Sequence, residues 1–238
     1  MPEHQRTPDP MQASAATHSI MSTTTQQIAV IDYHMGNLRS VSKAIEHVAG
    51  DDVHVVVTND AHTIANADRV VFPGQGAARD CMIEINHLHL ADCIREVIST
   101  RPFLGICMGM QVLLDGSDES PDSPCLGVLK GRVRRLPNGE DTLGNALTIP
   151  QMGWNQVRQR IAHPLWQGIA DDERFYFMNS YYSAPEDDAV IAATTPYGID
   201  FVSAMAHGSL FATQFHPEKS QRAGLQLLKN FVSWDGRL

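Results

Sequence analysis

Pro102-Phe103-Leu104-Gly105-Ile106-Cys107-Met108-Gly109-Met110-Gln111 reads as a strand that ends in a cysteine and turns at once into a helix. The run before Cys107 is apolar, Gly105 and Gly109 flank the cysteine, and Met110 to Leu114 suits a helix. Strand, sharp turn and helix, with a nucleophile at the turn, is the grammar of a nucleophile elbow. Glycine lets the chain turn tightly with little side-chain bulk nearby. A cysteine at a helix N-terminus also meets the positive end of the peptide dipoles, which favours the thiolate. The competing reading is a buried cysteine at a strand end, a common fate for this residue type. The stretch alone leaves both readings open.

Upstream of the elbow, strand-like and helix-like segments alternate. Ile28 to Asp32, His54 to Thr58 and Arg69 to Phe72 are apolar runs of buried-strand character. Asn37 is a candidate helix cap, followed by Leu38, Val41, Ile45 and Val48 at helical spacing. Helical stretches follow around Arg79 to Asn86 and Leu90 to Ser99. The alternation predicts a parallel sheet with right-handed crossovers, whose sites form at the carboxyl ends of the strands. Pro73-Gly74-Gln75-Gly76 and Cys107 both fall at such ends.

Downstream, the rhythm changes. Gly116 to Pro124 reads as a polar, acidic loop, and Val128 to Leu136 as a strand carrying Arg132, Arg134 and Arg135. Arg174 to Ser183, Val190 to Thr195, Phe201 to Ala206 and Leu210 to Phe215 are further strands, the last two joined at His207-Gly208-Ser209. A helix from Arg222 to Trp234 closes the chain, with Leu225, Leu228 and Val232 along one face. The predicted fold is α/β, a mainly parallel central sheet flanked by helices, with additional antiparallel strands in the C-terminal half.

Composition sets the outer limits. The 238 residues fit one α/β domain over residues 28–238. Residues 1–27 are rich in Ser, Thr, Gln, Pro and Ala, and predict a flexible tail with too little apolar surface to offset ordering entropy. Met21, just before the fold, is a candidate alternative start. A net charge of −9 argues against a phosphate backbone as partner. Cys81, Cys93, Cys107 and Cys125 form no CxxC pair, and no His/Cys cluster has zinc spacing. The expectation is free thiols in a reducing cytoplasm, with no metal and no cofactor. No apolar run approaches the ~20 residues of a membrane helix, and the N-terminus has no signal pattern.

Thr213-Gln214-Phe215-His216-Pro217-Glu218-Lys219 supplies what a cysteine nucleophile needs. A thiol requires a base, and imidazole titrates near neutral pH. The base requires an orienting acceptor, and a carboxylate two residues on, across a proline, suits that role. His216 and Glu218 as surface residues capping the last helix is the alternative. At Pro73-Gly74-Gln75-Gly76 a backbone N–H, together with that of Met108, is placed to stabilise a tetrahedral oxyanion. An ordinary strand-to-helix turn is the alternative there. His34, His87 and His89 read as surface or loop residues.

Taken together, a Gly-rich strand-end loop, then Gly-x-Cys-x-Gly, then His-x-Glu after the later strands resembles a class I (triad) glutamine amidotransferase. Ile28 to Leu38, Met152-Gly153-Trp154-Asn155 and Tyr176 to Tyr182 are similar to one branch of it, the glutaminase subunits of imidazole glycerol phosphate synthase. The resemblance spans roughly residues 28 to 235. It implies that Cys107 attacks the side-chain amide of glutamine, that His216 relays the proton and that Glu218 holds His216. It implies a glutamine pocket lined by Gly74, Gly76, Gln111, Ser180 and Tyr181, with Gln75 and Met108 at the oxyanion. It also implies that ammonia passes to a (β/α)8-barrel cyclase subunit, with Met152, Gly153, Trp154 and Asn155 at the interface of a heterodimer in histidine biosynthesis. Relatives commonly carry valine at position 75, leucine at 108 and histidine at 151 and 179, where this chain has Gln75, Met108, Gln151 and Asn179. Two other readings are a glutaminase serving another acceptor, such as an anthranilate or pyridoxal phosphate synthase, and a catalytically silent scaffold for a barrel partner. Met152–Asn155 and the opening motif weigh against the first, and the intact Cys107/His216/Glu218 set against the second.

Overall fold

A computed structural model describes residues 25–140, Gly144 and 146–237. The chain opens with β1 (Gln26–Ile31), α1 (Leu38–Val48), β2 (Val53–Thr58), α2 (Ala61–Asn66), β3 (Arg69–Gly74), α3 (Ala78–His87) and α4 (Ala91–Thr100). β4 (Phe103–Cys107) and the one-turn α5 (Met108–Gln111) form the elbow. β1 pairs parallel with β2 and β3, and β3 with β4. Apolar side chains line both faces of these inner strands; every residue of β3 and β4 is buried. Asn37 caps α1, its side chain accepting from Ser40 N at 3.3 Å, and Val41 and Ile45 face inward. α1 packs on the closing helix and α2 on α4.

The second half is built differently. β5 (Gly116–Ser117) and β6 (Ser120–Pro124) form a small hairpin, followed by β7 (Gly131–Arg135), β8 (Gln151–Gln159), β9 (Glu173–Asn179) and β10 (Tyr181–Pro185). Then come β11 (Ile191–Tyr197), β12 (Ile199–His207), β13 (Leu210–Thr213) and α6 (Gln221–Ser233). The main sheet runs β2-β1-β3-β4-β13-β12-β10-β7-β5-β6, with β11 branching from β12 to β8 and β9. β13 returns parallel to β4, matching Thr213 with Ile106. That register brings the His216 segment to the end of the Cys107 strand.

Several expectations need correction. β1 starts at Gln26, so Gln26 and Gln27 belong to the domain and not to a tail ending at 27. Their pairing with Val53 and His54 is made by backbone and needs no apolar side chain. The rest of the expected tail, 1–24, lies outside the described residues. Gly116–Pro124 is a strand pair, not a loop; β5 is held by β7, which its polar composition does not signal. Arg174–Ser183 is two strands, because at Ser180 the chain leaves the β8–β9 ribbon for the main sheet; Leu136 N bonds Ser180 O there at 2.9 Å. Met152–Asn155 lies within β8, and helix α2, capped by Asp60, has no counterpart among the expected helices. The helix after Cys107 runs Met108–Gln111, not on to Leu114. Leu225 is only half-buried; the packed face of α6 is Gly224, Leu227, Leu228, Phe231 and Val232. His34, His87 and His89 are exposed. Among the described residues no helix is long and apolar enough to cross a membrane.

Candidate active site

Cys107 adopts φ 55° and ψ −109°, a conformation that a residue with a Cβ rarely takes. Its surroundings enforce it. A Cβ on Gly109 would overlap the Phe72 carbonyl, and one on Gly105 would come within 2.7 Å of the Gly109 oxygen. The two glycines therefore let the turn press against β3 and β4, and the sulfur is held at the strand end with Cys107 only 6% exposed.

His216 is tied from both sides. Its backbone N donates to Tyr176 O at 2.9 Å, and its carbonyl accepts from Ser220 Oγ at 2.6 Å. The imidazole Nδ1 lies 2.9 Å from Glu218 Oε1, and both side chains are buried. Burial by itself disfavours the charged imidazole. The neighbouring Cys107 and the Glu218 carboxylate more than offset that and raise its pKa to about 10, although only Nδ1 has a hydrogen-bond partner and Nε2 has none among the described residues. The ring therefore favours the imidazolium at neutral pH.

Burial pushes Cys81 up to about 12 and Cys125 up to about 11, so both stay protonated and unreactive at neutral pH. Cys81 has a structural task beneath the Gly-rich loop: its Sγ donates to Gln75 O at 3.5 Å and receives Tyr33 Oη at 3.8 Å.

Cys107 opens into a cleft of about 170 Å³. Gln75, Gly76, Met108, Gln111, Ser180 and Tyr181 line it, together with Asn179 and with Glu119, Pro150 and Met178, which are not among the residues expected there from the sequence. Gly74 sits buried behind it, paired with Cys107 across β3 and β4. Gly74 has no room for a Cβ, which would strike the Tyr33 hydroxyl. Glu119 accepts from Ala78 N at 3.1 Å; it reaches the cleft from the β5–β6 turn, within the stretch that reads as a loop. A larger surface cavity, about 450 Å³ beside Trp154 and Arg174, does not include Cys107.

Met152, Gly153, Trp154 and Asn155 are not in the cleft. They lie on β8, paired with β9. Met152 is 62% and Trp154 37% exposed, and Trp154 stands edge-on to Tyr176 with ring centroids 6.1 Å apart. Asn155 uses both ends of its amide internally, donating to Pro196 O and accepting from Gln156 N, each at 2.8 Å. A further buried amide, Gln214, stands in the Thr213–Lys219 motif with no role that its sequence position reveals; it lies 3.7 Å from Cys107 Sγ.

Residues 29–234 match the family described as Glutamine amidotransferase class-I. The chain is 57% identical over 210 residues to the imidazole glycerol phosphate synthase subunit HisH of Thiobacillus denitrificans, covering 87% of this chain and 91% of that one. It is 53% identical over 212 residues to the subunit HisH 1 of Pseudomonas aeruginosa, covering 89% and 99%. Among solved structures, a glutamine amidotransferase superposes with a TM-score of 0.64 at 16% identity, covering 87% of this chain and 99% of that one. PurLQS from Thermotoga maritima superposes with 0.64 at 16%, covering 88% and 98%; these two likenesses show the fold alone.

Proposed function

The chain belongs to the class-I glutamine amidotransferases, and we infer that it is the glutaminase subunit of an imidazole glycerol phosphate synthase, hydrolysing glutamine to glutamate and ammonia for histidine biosynthesis. The observation that carries the mechanism is the shared position of a strained Cys107 and a doubly anchored His216 whose ring is held by Glu218. In this mechanism the Cys107 sulfur attacks the side-chain carbonyl carbon of glutamine. The oxyanion is met by backbone N–H groups of Gln75 and Met108. His216 gives its proton to the departing nitrogen, ammonia leaves, and a glutamyl thioester remains. Water, losing a proton to His216, then displaces the sulfur and releases glutamate. Gly74, Gly76, Gln111, Ser180 and Tyr181 shape the glutamine pocket.

The partner is a cyclase subunit, for which we propose a (β/α)8 barrel that forms a heterodimer with this chain in the cytoplasm. The exposed Met152 and Trp154 are the natural contact surface; Gly153 and Asn155 shape the ribbon that presents them. The partner also acts as a switch. Cys81 holds the carbonyl of Gln75, while the amide on the other side of that residue turns towards the oxyanion when the cyclase binds. One oxyanion donor gained is worth ~10²–10³ in rate. Titrating the cyclase subunit into this protein, with a ligand of the cyclase site present, reads the switch as glutamate release. The rate should start low and rise by about 10². A rate that stays flat through saturation removes the switch, and no release in the complete complex removes the reading altogether.

A further inference from the structure

Gln214 follows β13 directly and is completely buried, its own N–H bonded to Ser203 O at 2.9 Å. It lies two residues before His216, at the bend that follows the strand, and its side-chain amide comes within 3.7 Å of Cys107 Sγ. A line of amides runs from it to the cleft wall. The Tyr181 carbonyl accepts from Asn179 Nδ2 at 3.0 Å and from Gln111 Nε2 at 3.1 Å. Gln111 Nε2 also donates to Gln214 Oε1 at 2.8 Å, and Gln214 Nε2 faces Cys107 Sγ at 3.7 Å.

The polarity of that line is forced. A backbone carbonyl can only accept, so the nitrogen of Gln111 must face Tyr181. The second hydrogen of the same nitrogen demands the oxygen of Gln214, which leaves the Gln214 nitrogen as the end facing sulfur. A donor fixed in this way suits an anionic sulfur and gives no acceptor to a thiol S–H. The geometry points to Gln214 as a positioning residue for the amide-hydrolysis step, an N–H donor that holds the Cys107 sulfur as an aimed anion. The inference rests on the reading of Cys107 as nucleophile. The competing role is plain core filling, in which the amide serves only Gln111.

Two variants separate these roles, each assembled with the cyclase subunit. Gln214→Glu keeps an acceptor for Gln111 but turns a second oxygen towards the sulfur. Gln214→Met removes the donor without adding charge. Alkylation of Cys107 by iodoacetamide, followed by mass spectrometry of its peptide, reads the sulfur without glutamine. A hydrogen bond to an ion lost in this way slows alkylation about tenfold in the Met variant, and the Glu variant should be slower still. The kcat for glutamine should fall in the same order, with KM within about threefold, as expected for a group that acts on the nucleophile and not on substrate binding. Parental alkylation in the Met variant overturns the inference, even if the Glu variant is slow, because charge alone then explains the Glu result. A raised KM with unchanged kcat overturns it too. If Gln214→Glu does not assemble, Gln214→Met carries the test alone. Cys107→Ser in the parent complex is the separate control: glutamate release at the parental rate would overturn the nucleophile, not the role of Gln214.

Discussion

Two histidines in this fold are equally hidden and chemically opposite. His163 is 6% exposed and His216 5%. The His163 ring packs against Phe211 at 4.6 Å and Trp234 at 5.0 Å; its Nδ1 accepts from Leu165 N at 3.1 Å, and Nε2 has no partner among the described residues. Burial pushes its pKa down to about 4, so it is a neutral, structural ring. Burial pulls His216 the same way, yet Cys107 and Glu218 carry it up to about 10. Burial alone therefore silences an imidazole, and burial beside anions charges it. The chemical character of each ring lies in what was buried with it.

The largest test of that contrast removes the sulfur. Cys107→Ala should cut glutamine-dependent synthesis by the cyclase complex by more than ~10³ while sparing synthesis from added ammonia, since residues that act as a unit fail together. The same change should lower the His216 pKa, because Cys107 is one of the two neighbours that raise it. Turnover with both nitrogen sources and an NMR titration of the imidazole check the two halves. Equal loss of both activities in an assembled complex would sink the division of labour between subunits.

Removing only the carboxylate should do less. Glu218→Gln keeps the shape and a hydrogen bond at Nδ1 but loses the charge, and kcat should fall by about 10–10². It should also alter stability. The folded pKa of His216 lies above its unfolded value of about 6.5, so its stabilising contribution is complete below pH 6.5 and is lost as pH climbs towards 10. Urea midpoints measured from pH 6.5 to 10 should therefore fall less steeply in Glu218→Gln than in the parent. An unchanged slope would mean that Glu218 orients the ring without sharing in its charge.

Much of this site is legible in the sequence, and for physical reasons. Glycines that permit close approach, a cysteine at a strand end and a histidine with a carboxylate two residues on are local signals, and the parallel strands announce themselves as apolar runs. Pairings made by backbone alone are hidden: β5 is only a buried glycine and serine, its partner β6 is polar and largely exposed, and β8 carries a recognisable motif without a recognisable strand pattern. Gln214 and Glu119 are hidden for a related reason. An amide or carboxylate belongs to the cleft through contacts 41 to 103 residues away in sequence, which no local pattern carries. His163 looks like any other histidine, because its aromatic box is assembled from three separate segments.

The smallest expected effect comes from the silent member of the pair. His163→Asn keeps an acceptor for Leu165 N and takes away a group that titrates. Glutamine turnover should stay within about twofold, since the rings that His163 packs on lie outside the cleft and coupling between sites with no shared partners is weak. Stability is where the change appears. The folded pKa of about 4 lies below the unfolded value of 6.5, so the parent holds this contribution above pH 6.5 and loses it as pH falls to 4, where the unfolded chain binds a proton that the fold refuses. The full loss is on the order of 3 kcal/mol at 1.36 kcal/mol per unit. Asparagine has no such proton to bind. The variant starts lower at pH 7, because the smaller side chain leaves part of the Phe211–Trp234 box unfilled, but its urea midpoint should fall less between pH 6.5 and 4 than that of the parent. Parallel acid limbs would show that His163 titrates normally in the fold, and the contrast with His216 would then rest on the anions alone.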